Sequence, residues 1–337
     1  MSAEITRLMV EVAVAQGLKG LRTQFNRRVL RNAVEHGWRF SHGGFQRMLF
    51  QTLQEMLRTE DHPYYSLCGR VAREVDERYL LGYGVNMGYE SWTSGAGTIR
   101  RLEAEEGCNI PWCLTVCLSQ GGRTMALDTA CALIDQGMAL GVMTYLLEEE
   151  AARSDVLRAL SDRYAACALT AFLPDERINE ALLDALEGTD NLALAAVRRA
   201  GAFTSAEAMR NRHRLYFLCR EYDAADAEAV MASGDLRPLG APEATVAMFR
   251  PAPGCPEAVC RRFNEYLLEK KKHPTQPLFP VDLSHDLARV DQVISTDDCA
   301  LAVAVDGRYL VGDCQRPAGR AFPETSLHEA VRALLKK

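Results

Sequence analysis

The chain has 337 residues, which is enough for one large domain or two ordinary ones. Hydrophobic residues make up 48% of it and charged residues 25%, a composition that allows a sizeable core and excludes disordered, collagen-like and coiled-coil chains. The 39 basic and 45 acidic residues give a net charge of 39 − 45 = −6, which argues against a general electrostatic attraction to nucleic acid or to an acidic membrane surface.

Targeting and cysteine features predict a cytoplasmic protein. The longest apolar run, residues 138–147, is about half the ~20 residues of a membrane-spanning helix, and Glu4 and Glu11 interrupt the apolar N-terminus where a secretory signal would be uncharged. The eleven cysteines are odd in number, and most lie within apolar runs. We therefore expect reduced, buried thiols rather than disulfides, among them Cys113, Cys117, Cys131, Cys167 and Cys219.

The N-terminal region, residues 1–60, is predicted to be a helical region. Apolar residues recur at near-helical spacing up to Leu18, Gly20 is expected to end the first helix, and further helices are predicted over 27–36 and 45–57. We expect its apolar stripe to pack on the rest of the protein and its arginines to form a solvated face; the stripe comprises Leu8, Val12, Leu49 and Leu53. Residues 61–112 predict a less regular connector that wraps a larger body, with one helix over 96–106.

From residue 113 short apolar runs alternate with amphipathic helical segments. The runs are 113–118, 142–147, 167–172, 192–197, 215–219 and 245–249. The first five begin about 23–29 residues apart, the period of βα units that build a parallel sheet. Six units without an evident reversal favour a partial (β/α)6, TIM-like barrel over residues 113–272, with an open doubly wound sheet as the alternative. No GxGxxG or GxxxxGK[ST] motif indicates a nucleotide site.

Residues 273–337 are predicted to form a C-terminal extension. A proline-rich stretch precedes two short strands around an Asp306-Gly307 turn, and a helix is expected over 326–335.

Three stretches of this chain resemble the radical SAM superfamily. Residues 82–112 read GYGVNMGYESWTSGAGTIRRLEAEEGCNIPW, 249–254 read FRPAPG and 299–314 read CALAVAVDGRYLVGDC. They are similar to the lead-in to the barrel, to the turn after its sixth strand and to a SPASM-like C-terminal extension. The resemblance spans residues 75–335 and implies a six-stranded partial barrel, with a [4Fe–4S] cluster and S-adenosylmethionine as cofactors in active members.

The chain departs from that family where the cluster binds. The family carries C-x3-C-x2-C after the first strand, and here residues 118–126 read LSQGGRTMA. Cys108, Cys113 and Cys117 lie nearby, but Cys113 and Cys117 are four residues apart on one predicted strand, hence ~13 Å apart and too distant for one cluster.

The other cofactor signatures are also altered. The family's Gly-Gly-Glu-Pro, which holds the amine of S-adenosylmethionine, corresponds to residues 147–151, LEEEA, which read as a solvated charge run or as an amine-binding site. Cys299 and Cys314 resemble ligands of an auxiliary cluster, which Cys255 and Cys260 would have to complete; we expect instead that these cysteines bind no metal. No C-x2-C or H-x3-H pair indicates zinc.

Strand ends supply the candidate ligand-binding residues, because ligands of (β/α) barrels bind at the carboxyl ends of the strands. The arginines are expected to pair with the glutamates, or alternatively to bind an anionic ligand. Cys117 with His285 is a further, Cys-based possibility. The candidates are Cys117, Ser119, Glu148, Glu149, Glu150, Arg198, Arg199, Arg220, Glu221, Arg250 and Asp282.

Three functions follow from these observations. The first is a radical SAM-like pseudoenzyme without cofactor, which binds a ligand or partners an active radical SAM paralogue or its substrate. The second is an active enzyme that uses displaced cysteines, with a [4Fe–4S] cluster and S-adenosylmethionine. The third is an unrelated (β/α) enzyme with a Cys- or Glu-based site.

Overall fold

A computed structural model describes residues 3–23, 27–40, 44–295, 297–312 and 316–336. Its N-terminal part is helical up to residue 106. Two of these helices begin with a side chain that caps their first turn. The His62 side chain accepts a hydrogen bond from the Tyr64 N–H, and the Asp76 side chain accepts one from the Arg78 N–H. The helices are α1 (Ala3–Thr23), α2 (Arg27–Phe40), α3 (Gly44–Met56), α4 (Pro63–Glu74), α5 (Glu77–Val85), a π-helix (Asn86–Gly95) and α6 (Ala96–Glu106).

The predicted N-terminal helices are present, with two differences. α1 continues through Gly20, because a single glycine lowers helix stability by only about 1 kcal/mol. The expected burial of Leu8 and Val12 is wrong, since they are 59% and 49% exposed. α1 instead packs through its C-terminal half, where Leu21 joins a cluster with Leu30, Val34, Leu57, Tyr65 and Ala72.

Residues 61–112 are more regular than the sequence indicated. Their glycines and aromatics lie in α4, α5 and the π-helix rather than in an irregular connector. The reason is close packing: a Cβ on Gly95 would lie 2.4 Å from the Gly141 carbonyl oxygen, so this glycine allows the π-helix to approach the barrel backbone.

Alternating strands and helices follow, and all six predicted strands are confirmed. The short helix α9 is preceded by a 3-10 turn (Asp175–Arg177). The strands are β1 (Cys113–Gln120), β3 (Thr144–Glu149), β4 (Ala168–Pro174), β5 (Leu192–Arg198), β6 (Tyr216–Tyr222) and β7 (Val246–Pro251), with a two-residue β2 (Arg123–Thr124). The helices are α7 (Leu127–Ala139), α8 (Ser154–Arg163), α9 (Glu180–Ala185), α10 (Ala206–Asn211), α11 (Ala224–Ser233) and α12 (Glu257–Lys272).

The C-terminal part adds strands at both ends of this parallel series. β8 (Phe279–Asp282) pairs parallel with β7, and helix α13 (Leu283–Ile294) follows it. β9 (Leu301–Val303) then pairs parallel with β1. The predicted hairpin strand β10 (Arg308–Val311) lies antiparallel to β9, β11 (Arg316–Ala321) lies antiparallel to β10, and α14 (Leu327–Leu334) is the expected terminal helix.

Within the described residues, one eleven-stranded sheet has the order β11-β10-β9-β1-β3-β4-β5-β6-β7-β8, with β2 attached to β1. Successive parallel strands joined by helices make the fold an α/β partial barrel. α13 connects its two ends: Asp282 begins this helix, and Asp291 near its end accepts the Trp112 N–H just before β1.

The sheet is strongly curved. Arg250 on β7 forms an ion pair with Glu148 on β3, four strands away, with 2.6 Å between Nη1 and Oε1. In a flat sheet those strands would be about 19 Å apart, so the contact requires the curvature of a barrel and excludes an open doubly wound sheet.

No helix in the described ranges is both long and apolar enough to cross a membrane.

Candidate functional site

Four of the predicted strand-end residues meet on the concave side of the sheet: Cys117, Glu148, Glu221 and Arg250, here called the mouth cluster. Cys117 and Glu148 are paired neighbours on β1 and β3, and Glu221 and Arg250 are paired neighbours on β6 and β7. Arg250 donates to Glu148 at 2.6 Å and to Glu221 at 2.8 Å. The strands therefore bring together residues that are far apart in the sequence.

Partial burial governs the chemistry of the mouth cluster. The side chains of Arg250, Glu148 and Glu221 are 24%, 27% and 26% exposed. Burial raises the pKa of Glu148, and the charge of Arg250 opposes that rise. Burial raises the pKa of Cys117 to about 11, helped by the neighbouring charge of Glu148. At neutral pH this thiol is protonated and a weak nucleophile.

The predicted pairing of arginines with glutamates is present at Arg250. Its guanidinium also lies 5.8 Å from the centre of the Phe172 ring on β4. Two carboxylates share one guanidinium, so the three side chains carry a net charge of about −1 when ionised.

Ser119 and Glu149 lie outside the mouth cluster. Glu149 follows Glu148 on β3 and so points to the opposite face, and β1 bulges between Cys117 and Ser119. The bulge turns Ser119 towards Glu149, whose Oε1 accepts its hydroxyl at 2.5 Å. Glu149 is fully buried and pairs with Arg153 at 2.8 Å, and Arg153 also donates to the Leu118 carbonyl at 2.7 Å. Sequence reasoning missed Arg153, although its position four residues after Glu149 was a signal.

The turn after β1 is the place where the radical SAM family binds its cluster. β1 and β2 form a tight hairpin here, and the Gly121 N–H donates to Glu150 Oε2 at 2.5 Å. Residues 118–130 contain no thiol, and Cys131 follows inside α7, where it is buried. The residues at this turn therefore do not fit a [4Fe–4S] cluster, which needs grouped thiolates.

Two of the remaining predicted arginines pair with acids on the rim. Arg198 donates to Asp175 at 2.7 Å, and Arg220 donates to Asp226 at 3.0 Å. Asp175 also accepts from Thr204 and Ser205, and these hydrogen bonds lower its pKa although burial opposes them. These arginines therefore stabilise the loops beside the mouth.

Arg199 is exposed in the turn after β5. Asp282 is buried, accepts from the His285 N–H at the start of α13 and lies 3.0 Å from His285 Nδ1. Arg199 thus lies in a loop of the barrel, whereas Asp282, the last residue of β8, caps α13.

The other cysteines are mostly buried. The expected burial of Cys131, Cys167 and Cys219 is confirmed, and so is that of Cys113. Burial raises the pKa of Cys167 and Cys219 to about 12. Cys117 is half-buried.

Cys299 is buried against Asp291, whereas Cys314 lies outside the described residues. In the part of the chain that the structure describes, no three His, Cys, Asp or Glu side chains form a metal-binding group.

No protein-family model and no curated protein matches the chain. Among solved structures, Streptococcus suis SuiB bound to S-adenosylmethionine is similar with a TM-score of 0.44 and 11% identity, over 73% of this chain and 69% of that one. SuiB bound to its precursor peptide SuiA gives 0.42 and 9% over 66% and 64%, and SuiB itself gives 0.45 and 10% over 79% and 70%. At such low identity these similarities do not identify the site residues of this chain.

Proposed function

We propose that this chain is a radical SAM-like barrel protein without the cluster, which binds a ligand or partner at the mouth cluster and does not cleave S-adenosylmethionine. The observation that carries the proposal is the hairpin after β1. Reductive cleavage requires thiolates grouped in one loop, so that one iron stays open to the amino and carboxylate groups of S-adenosylmethionine. Here Ser119, near the end of β1, donates to Glu149, the last residue of β3, and Gly121 in the turn donates to Glu150, which follows β3.

The displaced cysteines supply no substitute set. Cys113 is buried, and burial raises its pKa well above the ordinary value, which disfavours the thiolate that iron requires. Cys117 also has a raised pKa and lies on the same face of β1 as Cys113, four residues further along the strand. An active enzyme with displaced cysteines is therefore the less favoured function.

The charge of the mouth cluster favours a positively charged ligand. Glu148 and Glu221 together carry one negative charge more than Arg250 neutralises, in a half-buried place where electrostatic interactions are stronger than in water. A ligand amine or guanidinium can take the place of Arg250 on either carboxylate. The family resemblance suggests an active radical SAM paralogue or its substrate as the source of that group.

Cofactor loading and product formation test the proposal. The protein is purified anaerobically, reconstituted with iron and sulfide, and incubated with dithionite and S-adenosylmethionine. We expect no bound cluster and no 5′-deoxyadenosine above a control without protein. A brown protein with about four irons per chain, forming 5′-deoxyadenosine in a manner lost in Cys117→Ala, would overturn the proposal.

Binding at the mouth cluster is tested separately by calorimetric titration. The probes are spermidine, S-adenosylmethionine and a lysine-rich peptide. We expect at least one to bind, and Glu148→Gln to weaken it at least tenfold, whereas Glu180→Gln on α9 leaves it unchanged. Equal affinity in the two variants would show that the mouth cluster is not the binding site.

A further inference from the structure

His62 lies in a buried position between α3 and α4, and its imidazole ring begins α4. The residue is 9% exposed, and its Nδ1 accepts a hydrogen bond from the Tyr64 N–H at 3.3 Å. A ring nitrogen accepts only through its lone pair, so this bond assigns the ring proton to Nε2 and makes the imidazole neutral. The start of α4 therefore depends on an acceptor that is lost when the ring takes up a second proton.

The surroundings of His62 do not favour a charged ring. Its Nε2 is buried and makes no hydrogen bond within the part of the chain that the structure describes. Glu60 and Asp61, the acids that precede it, are exposed and pair with Arg27. Burial lowers the pKa of His62, and the positive charge that His273 carries in acid lowers it further.

Tyr64, in the first turn of α4, connects this helix with the barrel. The centre of its ring lies 4.9 Å from that of His62 and 5.9 Å from that of Phe279 on β8. Its hydroxyl donates to the Lys271 carbonyl in the last turn of α12 at 3.1 Å, and the Lys271 ammonium pairs with Asp286 on α13. The cap on the Tyr64 N–H therefore fixes a residue that contacts two elements of the barrel.

Tyr65, the next residue, connects α4 with the N-terminal helices. It is 4% exposed, belongs to the smaller hydrophobic cluster and donates from its hydroxyl to the Leu57 carbonyl at 2.5 Å. Later in α4, Arg70 forms a separate attachment to the barrel through the carbonyls of Glu243 and Pro277, at 2.8 and 3.0 Å. The first turn of α4 thus carries contacts to both parts of the molecule.

We propose that His62 is a pH switch that couples the N-terminal helices α1–α3 to the barrel. The neutral ring caps α4 and holds Tyr64 and Tyr65 in place. Protonation of Nδ1 sets one N–H against another, so the cap breaks, the charged ring moves to solvent and the first turn of α4 opens. The contacts of Arg70 remain. This switch does not depend on the proposed binding function.

The sign and size of the response follow from proton uptake by the open form. The closed form holds a neutral ring, so its stability is complete above the ordinary histidine pKa of about 6.5 and is lost as pH falls below that value. In the open form the ratio of charged to neutral imidazole is about 30 at pH 5.0 and about 0.1 at pH 7.5. The opening equilibrium of the first turn should therefore rise about tenfold to thirtyfold between pH 7.5 and pH 5.0.

Hydrogen exchange of the full-length protein, measured by mass spectrometry at these two pH values, tests the proposal. Exchange is expressed as protection relative to the intrinsic rate at each pH. We expect the end of α3 and the first turn of α4 to lose protection in acid by the factor given above, whereas the turn that carries Arg70 keeps its protection. Equal protection of the first turn at both pH values would overturn the proposal.

Variants of His62 separate the cap from the titration. His62→Asn retains an acceptor for the Tyr64 N–H that does not titrate, so it should be protected at pH 7.5 and lose the response to acid. His62→Ala should be open at both pH values, and His36→Asn, at an exposed position on α2, should respond as the wild type does. A response that persists in His62→Asn would refute the switch, and so would full protection in His62→Ala.

A histidine NMR titration of the wild type gives an independent measurement. The ring signals of His62 should titrate below pH 6.5, together with the change in protection of the first turn. Titration at or above pH 6.5 would contradict the proposal, whatever the stability of the variants.

Discussion

Arg250 connects the two carboxylates of the mouth cluster. Its guanidinium is the positive charge between Glu148 and Glu221, two carboxylates from different strands that are only about a quarter exposed. Removing one partner from a half-buried ion pair leaves the remaining charges poorly solvated, which costs more than the pair itself contributes. The arginine is therefore needed for the fold at the mouth even before any ligand is considered.

Arg250→Met should lower the free energy of unfolding by about 1–3 kcal/mol at pH 8. In the variant two neighbouring carboxylates have lost their cation, so their pKa values in the folded state rise above those in the unfolded state. Their stabilising contribution is then complete only at low pH and is lost as pH rises, so the deficit should shrink towards pH 4–5. Urea denaturation at both pH values measures this. Arg101→Met, which breaks an exposed pair with Glu105 on α6, is the control and should change little. A deficit that is the same at both pH values would contradict the explanation.

Asp291 is a buried carboxyl group with an unusual pKa. It is 3% exposed, accepts the Trp112 N–H at 3.2 Å and lies against Cys299. Burial raises its pKa to about 7, although hydrogen bonds from Trp112 and Cys299 oppose the rise. The protein therefore carries a buried group that is ionised above neutral pH at the junction of α13 and β1.

Asp291→Asn should flatten the dependence of stability on pH between about 4 and 7. A folded-state pKa above the unfolded value stabilises the protein fully below pH ~4, and this stabilisation is lost as pH rises to about 7. The asparagine can still accept from Trp112, so it should match the wild type near pH 4.5 and exceed its stability at pH 8. Denaturant titrations across this range test it, with Asp162→Asn on the exposed face of α8 as control. A variant that is less stable than the wild type at pH 8 would refute the assignment.

The sequence was sufficient to predict which residues lie at the mouth, but not which contacts all of them make. Parallel strands end at one edge, so Glu148, Glu221 and Arg250 could be identified from the ends of their apolar runs. The alternation of side chains along a strand already places Glu149 on the face opposite Glu148. The sequence could not indicate that Ser119 turns away from Cys117, because the bulge in β1 depends on the pairing with β3. The exposure of Leu8 was equally inaccessible, because spacing predicts a helix but not which face its neighbours cover.

At the scale of elements, the π-helix brings the N-terminal part into close backbone contact with the barrel. Gly95 at its end and Gly141 before β3 approach through their backbones, and a Cβ on either would lie under 3 Å from the other's carbonyl oxygen. Gly141 also has a φ of +92°, which disfavours any side chain. The glycine pair thus fixes the position of the π-helix against the sheet.

Gly95→Ala should destabilise the protein by about 2–4 kcal/mol, because the new methyl group overlaps backbone atoms that cannot rotate away. Gly97→Ala, two residues later in α6, is the matched control. A Cβ at Gly97 meets nothing within 4 Å, so alanine there should stabilise the helix by about 0.5–1 kcal/mol. Thermal unfolding of both variants measures the difference. Similar melting temperatures would show that the backbones can separate at little cost.

The strands that the sequence missed are short or contain proline away from their last residue. β8 has four residues, including Pro280, and β11 includes Pro317, whereas the prolines of the confirmed strands β4 and β7 are their last residues. The Asp306-Gly307 turn indicated the hairpin of β9 and β10, but the pairing of β9 with β1 depends on contacts between distant parts of the chain. Local patterns predict the strands, but they do not predict which edge a late strand joins.

At the scale of the whole molecule, the described residues contain two separate hydrophobic clusters. The larger fills the barrel and its outer helices, and the smaller lies among α1–α4, around Leu30 and Tyr65. Ion pairs such as Arg7 with Glu90, at 2.7 Å, connect the two parts at their boundary. Because a small cluster stabilises less than a large one, the N-terminal helices should open first.

Hydrogen exchange measured by mass spectrometry tests this order. Amides of α2 and α3 should exchange faster than those of β3–β6, and Leu30→Ala should speed exchange in α1–α3 while leaving the central strands unchanged. Leu169→Ala in β4 is the matched core variant and should speed exchange in both parts, since the barrel supports the helices. Uniform acceleration by Leu30→Ala would show a single cooperative unit.

The position of β9 has a consequence for how the protein is made. β1 lies between β3 and β9, yet β9 comes from the C-terminal part of the chain. On a ribosome the strands β1 to β8 can emerge and assemble in order, while one edge of β1 offers unpaired N–H and C=O groups to any passing strand. That edge is covered only after β9, residues 301–303, has been synthesised. A nascent chain stalled before residue 301 should therefore need a chaperone, whereas a released chain that includes β9 to β11 should not.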